Sequence, residues 1–221
     1  DILQIEAIFM GQAGLLELNT IPERYQKDAL NDGYFAKLRN EYKYLAHKFN
    51  LTPMDYRQWR FLRLRPQNFP HIRISQLAHL YYQRKAGLSQ LVEAASVEDA
   101  KKVLATAVTP YWETHYTFGS TSVRNDKNLS PFSLNLLCIN TVVPILFAYG
   151  RHRGEEKYCD RAFDFLEQLR PENNYIIRLW QQSGLVVDNA GDSQALIQLK
   201  KEYCDKKECL RCRFGYEYLK L

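Results

Sequence analysis

Apolar side chains recur every three or four residues along most of this chain, the spacing that lines one face of an α-helix. Ile2, Ile5, Ile8 and Phe9 open the pattern and Gly11 with Gly14 interrupts it, which predicts a short first helix. From Lys27 to Phe49, Leu30, Tyr34, Leu38, Tyr42 and Leu45 predict a longer helix whose other face is charged. Thr52-Pro53-Met54-Asp55 has the form of an N-cap, a first-turn proline and a capping acid, so a further helix is expected from there toward Leu62. Pro66 and Pro70 then bracket a non-helical connection, because each proline holds the residue before it in extended conformations. Ile74, Leu77, Leu80 and Tyr81 resume the helical stripe up to Gly87, and Ser96-Val97-Glu98-Asp99 caps another short helix carrying Val103 and Leu104.

Between Thr109 and Asn128 the helical period lapses. Trp112, Thr114, Tyr116 and Phe118 alternate with Tyr111, Glu113, His115 and Thr117, which predicts a loop or one short strand. Ser133 to Tyr149 reads as a central helix, kinked or split at Pro144, whose missing N–H frees the carbonyl of Asn140. Helices over Glu155–Leu169 and Tyr175–Trp180 follow, and a last one from Ser193 to Tyr203 leads into a cysteine cluster and a basic tail. The expected fold is all-α, an irregular multi-helix bundle with at most one short strand or hairpin, in a single helical domain over residues 1–221.

With 46% hydrophobic and 25% charged residues the chain has the make-up of a folded domain rather than a disordered one. Its longest apolar stretch, Leu136–Tyr149, is broken by Asn140, Thr141 and Pro144 and is shorter than the roughly 20 residues a bilayer-spanning helix needs. It is therefore read as a buried helix of a soluble protein, with no membrane partner. No charged start, apolar run and small-residue cleavage site forms a secretory leader. The chain begins at Asp1, already in a helical pattern, which suggests that a part lies upstream. Five cysteines are an odd count and suit a reducing cytoplasm better than a disulfide scaffold, so a cytoplasmic location is expected.

Charge sharpens the picture. Tyr56 to Val92 runs 37 residues without Asp or Glu while carrying Arg57, Arg60, Arg63, Arg65, Arg73, Arg84 and Lys85. The whole chain has 30 Lys and Arg against 25 acids, so this segment supplies all of the positive excess and the rest is slightly acidic. Arg57, Arg60 and Arg63 would share one face of the expected helix, and Arg65 and Arg73 flank Asn68. Guanidinium groups so placed suit phosphates, Asn68 suits a base edge or sugar hydroxyl, and the interleaved aromatic rings suit unpaired bases. The ordinary alternative is that acids elsewhere in the fold pair with these arginines while Trp59, Phe61 and Phe69 simply pack.

Other chemistry is thinner. Cys204-x4-Cys209-x2-Cys212 resembles the opening spacing of some plant-type iron–sulfur sites, but the required fourth downstream cysteine is missing. A zinc site would have to borrow Cys138, Cys159 or a histidine; buried structural cysteine is the commoner use, and no metal or cofactor is assigned. Glu113 and His115 would share one face of an extended segment as an acid–base pair. Phosphate-binding loops, dinucleotide fingerprints, zincin motifs and the serine-hydrolase elbow are absent, so no catalytic residue is assigned.

Three strings, Glu6-Ala7-Ile8-Phe9-Met10-Gly11-Gln12-Ala13-Gly14-Leu15-Leu16, Arg65-Pro66-Gln67-Asn68-Phe69-Pro70-His71-Ile72-Arg73-Ile74 and Cys209-Leu210-Arg211-Cys212, together resemble the bacterial Domain of Unknown Function 2851 family. The resemblance covers essentially the whole chain and is most specific in its middle string. It implies a longer protein with an N-terminal region bearing acidic and histidine-containing strand motifs, of which this chain is the helical C-terminal half. It brings no catalytic residues. The leading functional expectation is a nucleic-acid-binding accessory domain with Arg60, Arg63, Arg65, Asn68 and Arg73 at the anion-binding surface. A structural or protein-interaction domain docking on its own upstream region is the alternative, and an enzyme using Glu113 and His115 the weaker one.

Overall fold

The helical periodicity is realised along most of the chain in the computed structural model, which describes residues 1–83 and 87–219. Arg84 and Lys85, counted above in the acid-free segment, lie outside the described residues. The architecture is all-α and irregular, with one small hairpin among the described residues. Contacts divide it into two compact units, Asp1–Gly87 with Leu104–Ser130 and Leu88–Val103 with Pro131–Leu221.

In the first unit α1 (Ile2–Gln12) packs on two later helices, Gly33–Phe49 and Pro70–Tyr82. The helix expected from Lys27 to Phe49 is two, α2 (Glu23–Leu30) and α3 (Gly33–Phe49), because Asp32 caps the second: its Oδ1 accepts from the N–H groups of Tyr34 at 2.8 Å and Phe35 at 3.4 Å. Helix α4 (Pro70–Tyr82) starts on Pro70, whose fixed φ and missing N–H suit a first helical position. The non-helical interval between Thr109 and Asn128 contains a 3-10 turn, Pro110–Glu113, and an irregular antiparallel hairpin of β1 (His115–Thr117) and β2 (Ser120–Thr121). Ala7, Met10, Leu15, Phe35, Leu38, Ile72, Trp112 and Phe118 form one core here, and each large apolar side chain buried this fully contributes on the order of 2–3 kcal/mol.

One expected helix does not form. From Thr52 toward Leu62 the chain makes only a 3-10 turn at Tyr56–Gln58 and is otherwise non-helical. Asp55 does cap it, accepting from the N–H of Arg57 at 2.9 Å, but backbone and side-chain bonds to the end of α1 hold the flanking chain on another path. Met54 N–H donates to Gln12 O at 2.8 Å, and the Trp59 indole N–H donates to Ala13 O at 2.8 Å.

The second unit begins with α5 (Leu88–Glu93) and α6 (Val97–Leu104), the latter capped by Ser96, whose Oγ accepts from Asp99 N–H at 3.1 Å. Then α7 (Pro131–Leu137), a π turn over Cys138–Val142 and α8 (Val143–Arg153) run on as one 23-residue helix. Pro144 lacks an N–H and crowds the carbonyl four residues back, and the chain absorbs this by widening one turn: Val143 N–H reaches Cys138 O. This helix is longer and more exposed than expected. By length and composition it is enough to cross a membrane, and only 28% of its most apolar window is buried. Helices α9 (Glu156–Gln168), α10 (Tyr175–Gln182) and α11 (Ala190–Leu199) follow, the last passing through a second π turn, Lys200–Cys204, before α12 (Arg213–Leu219). Cys138, Val142, Leu146, Ala162, Phe165 and Ile177 are buried in this unit, and Arg161 Nη1 ties α9 to the carbonyls of Val92 and Ala94 at 2.9 and 3.2 Å.

Candidate functional site

The arginine segment is a surface loop held at both edges by aromatic anchors. Trp59 fixes its start through Ala13 O, and Phe61 lies half-buried against Phe69 and His71, with ring centroids 5.6 and 5.9 Å away. Between and beyond these anchors Arg60, Arg63 and Arg65 are exposed, and no carboxylate among the described residues pairs with them. Arg63 adopts φ +65, a left-handed conformation that a non-glycine residue takes at a cost of about 1 kcal/mol or more. Leu62, 85% exposed, and Leu64 stand among the cations.

The remaining members of the predicted set are engaged elsewhere. Arg57 is locked to Asp55, with Nε 3.0 Å from both carboxylate oxygens and Nη2 2.7 Å from one, and this pairing holds the Asp55 carboxyl below its usual pKa. Arg73 is half-buried; Nη2 donates to Asn68 Oδ1 at 2.6 Å and Nη1 to Gln76 Oε1 at 2.9 Å. Burial pulls its pKa below the usual guanidinium value. Asn68 and Arg73 thus bind each other, and the shared helix face expected for Arg57, Arg60 and Arg63 does not exist.

Glu113 and His115 are not brought together as an acid–base pair. Glu113 is bridged by Arg124 at 2.7 Å. His115 stacks on Tyr111 with centroids 3.9 Å apart, and its Nδ1 lies 2.9 Å from Tyr111 O and 3.0 Å from Thr114 Oγ1. Cys138, Cys159 and Cys212 are buried, whereas Cys204 and Cys209 are exposed. Among the described residues no three His, Cys, Asp or Glu side chains converge as a metal cage.

Beneath the loop's anchors lies a buried polar network. Glu6, fully buried on α1, accepts from Tyr34 OH at 2.7 Å, Thr109 Oγ1 at 2.9 Å and the Trp112 indole N–H. Burial raises its pKa above the ordinary carboxylate value, and these donors oppose the rise. Ser75 Oγ accepts from Thr109 N–H at 3.0 Å, and Tyr111 OH donates to Asp32. Lys127, also buried, gives its ammonium to the carbonyls of Trp112 and His115 and sits 3.9 Å from the Tyr116 ring centroid. Its pKa is lowered to about 8, burial being the main cause. His71 packs among Phe61, Trp112 and Phe118, and neither ring nitrogen is hydrogen-bonded among the described residues. Burial lowers its pKa to about 4, so it is neutral at pH 7.

This network closes the core rather than opening a cleft: Glu6 and Ser75 have no exposed surface and His71 has 1%. Its chemistry is positional, fixing α1, α3, α4 and the 109–127 segment behind the arginine loop. One sign of it is visible in sequence, since Glu6 falls in the apolar stripe of Ile2, Ile5 and Phe9. Its partners, 28 to 106 residues away, carry no local signal.

No curated protein and no solved structure matches the chain. A family model does, over residues 1–175; the match stops short of the Cys204–Cys212 cluster, so the third of the strings quoted above lies outside it. With that much of the sequence matched, the chain belongs to the family described as protein of unknown function DUF2851.

Proposed function

We propose that the first unit is a nucleic-acid-binding module that engages phosphates through Arg60, Arg63 and Arg65. The observation that carries this reading is the trio of exposed guanidinium groups on one anchored loop with no acid among the described residues paired to any of them. Unpaired, they offer bidentate donors to a phosphate without first breaking an internal ion pair. The anchors at Trp59 and Phe61 reduce the ordering cost of binding. Asn68 and Arg73 have a supporting role, since their mutual bond steadies the turn after Arg65.

Titrating labelled single-stranded and duplex oligonucleotides across a salt series tests it. Affinity is expected to fall with log salt at a slope of about −2 to −3, in keeping with three phosphate contacts at roughly −0.7 to −0.9 each. No binding to either nucleic acid at low salt overturns the reading. The tighter affinity at a given salt concentration identifies the preferred form.

A second reading has its own support in Leu62 and Leu64, apolar side chains exposed within the same loop. They suit a protein partner, such as an upstream part of the same protein. Salt-insensitive association with that partner, lost on Leu62→Asp, is the result this alternative requires.

A further inference from the structure

Cys204, Cys209 and Cys212 line one apolar cavity of about 310 Å³ in the second unit, together with Trp180, Leu196 and Leu199. All three carry free thiols. Cys209 is exposed while Cys212 is 7% exposed. Cys212 N–H donates to Cys209 O at 3.2 Å, closing a single turn. A turn closed in this way keeps its end Cα atoms within about 7 Å, and a disulfide spans Cα atoms about 4.4–6.8 Å apart. The turn is held from the other side by α12. A Cβ on Gly215 would stand 2.3 Å from Cys209 O, so only glycine lets the helix press this close.

From this geometry we infer that Cys209 and Cys212 are a redox-active dithiol, Cys209 attacking and Cys212 resolving, whose substrate is an organic disulfide with an apolar flank seated in the cavity. Thiol pairs at Cys-x-x-Cys spacing with one accessible and one sheltered sulfur are built for exchange. The Cys209 thiolate attacks one substrate sulfur, forming a mixed disulfide and expelling the first substrate thiolate. The Cys212 thiolate then attacks the Cys209 sulfur, forming the intramolecular disulfide and expelling the second. Two electrons pass from the dithiol to the substrate, and the two cysteine protons end on the two released thiols. Lys207 lies in the same stretch of chain, whereas Arg211 and Arg213 are paired with Glu208 at 3.6 Å and Glu217 at 2.9 Å, so the apolar cavity rather than charge selects the substrate. This site is independent of the arginine loop and lies outside the region the family model matches.

Dithiobis-nitrobenzoate, an aromatic and anionic disulfide that releases a coloured thiol, is the probe. The Cys209–Cys212 pair should release two coloured thiols in quick succession, apart from the one released at exposed Cys204, and finish as a Cys209–Cys212 disulfide with no adduct at either sulfur, as read by peptide mapping. Cys138, whose thiol is pushed up to about 11 chiefly by burial, is the internal control. Cys209 should react at least about tenfold faster than it. Cys212→Ser should stop at a stable adduct on Cys209, and Cys209→Ser should lose the fast phase. The mapping of the unmodified chain stands whatever the variants' folding. Accumulation of an adduct on Cys209 without ring closure, closure onto Cys204 instead, or a Cys209 no faster than Cys138 would overturn the inference.

Discussion

Glu6 holds three donors from separate parts of the chain, which makes it the residue whose loss the first unit should feel most. Glu6→Leu leaves the Trp112 indole N–H and the hydroxyls of Tyr34 and Thr109 without their acceptor. At about 1–3 kcal/mol for each orphaned donor, the variant should lose on the order of 3 kcal/mol or more. Urea unfolding checks this, and a loss under about 1 kcal/mol would contradict it. His71 gives a pH signature. Its folded pKa of about 4 lies below the ordinary 6.5, so between those values the unfolded chain binds more protons and stability rises with pH. The contribution is complete above pH 6.5, fades as pH falls toward 4, and totals roughly 3 kcal/mol. Glu6, with its raised pKa, works in the opposite sense above pH 4.5, so the comparison must be with His71→Phe rather than with one profile alone. The gap in melting temperature between the two proteins should move against the unmodified chain from pH 6.5 down to 4.5. A constant gap would mean that His71 is not buried neutral.

At the scale of elements, periodicity located the helices and local side-chain chemistry decided their ends. Leu30 to Leu45 keeps one helical stripe, yet the Asp32 carboxylate breaks it by capping a new helix. Around Asp55 the outcome differed: Thr52 does not start a helix and Asp55 caps only a 3-10 turn, because the bonds from Met54 and Trp59 to the end of α1 divert the chain, and such long-range bonds leave no trace in a local pattern. Pro144 was legible as a disturbance, though a π turn absorbs it without ending the helix. The hairpin turn offers a direct test of its backbone. Gly119 has φ +72, and a Cβ there would lie 2.4 Å from Tyr25 O and 2.7 Å from Ala29 N, both backbone atoms with no easy retreat. Gly119→Ala should therefore cost more than about 2 kcal/mol in thermal or denaturant unfolding. A neutral result would show that the hairpin does not press on α2.

For the whole molecule, net charge alone suggested a basic protein, whereas the side chains sort into arginines already spoken for and arginines left to solvent. The sequence identified the segment because a 37-residue gap in acids needs no folding to be seen. Which cations stay available depends on Asp55, Asn68 and Gln76 finding Arg57 and Arg73, and that is fixed only by the fold. The most direct measurement compares oligonucleotide binding by Arg60→Glu/Arg63→Glu/Arg65→Glu with binding by Lys37→Glu/Lys43→Glu/Lys48→Glu, an equal change of charge made at exposed lysines on α3. Both variants should melt within a few degrees of the unmodified chain. Affinity at low salt should fall at least about a hundredfold in the arginine variant, with most of the salt slope lost, and only a few-fold in the lysine variant. Equal losses in the two would reduce the loop to bulk charge, and undiminished binding by the arginine variant would contradict the account outright.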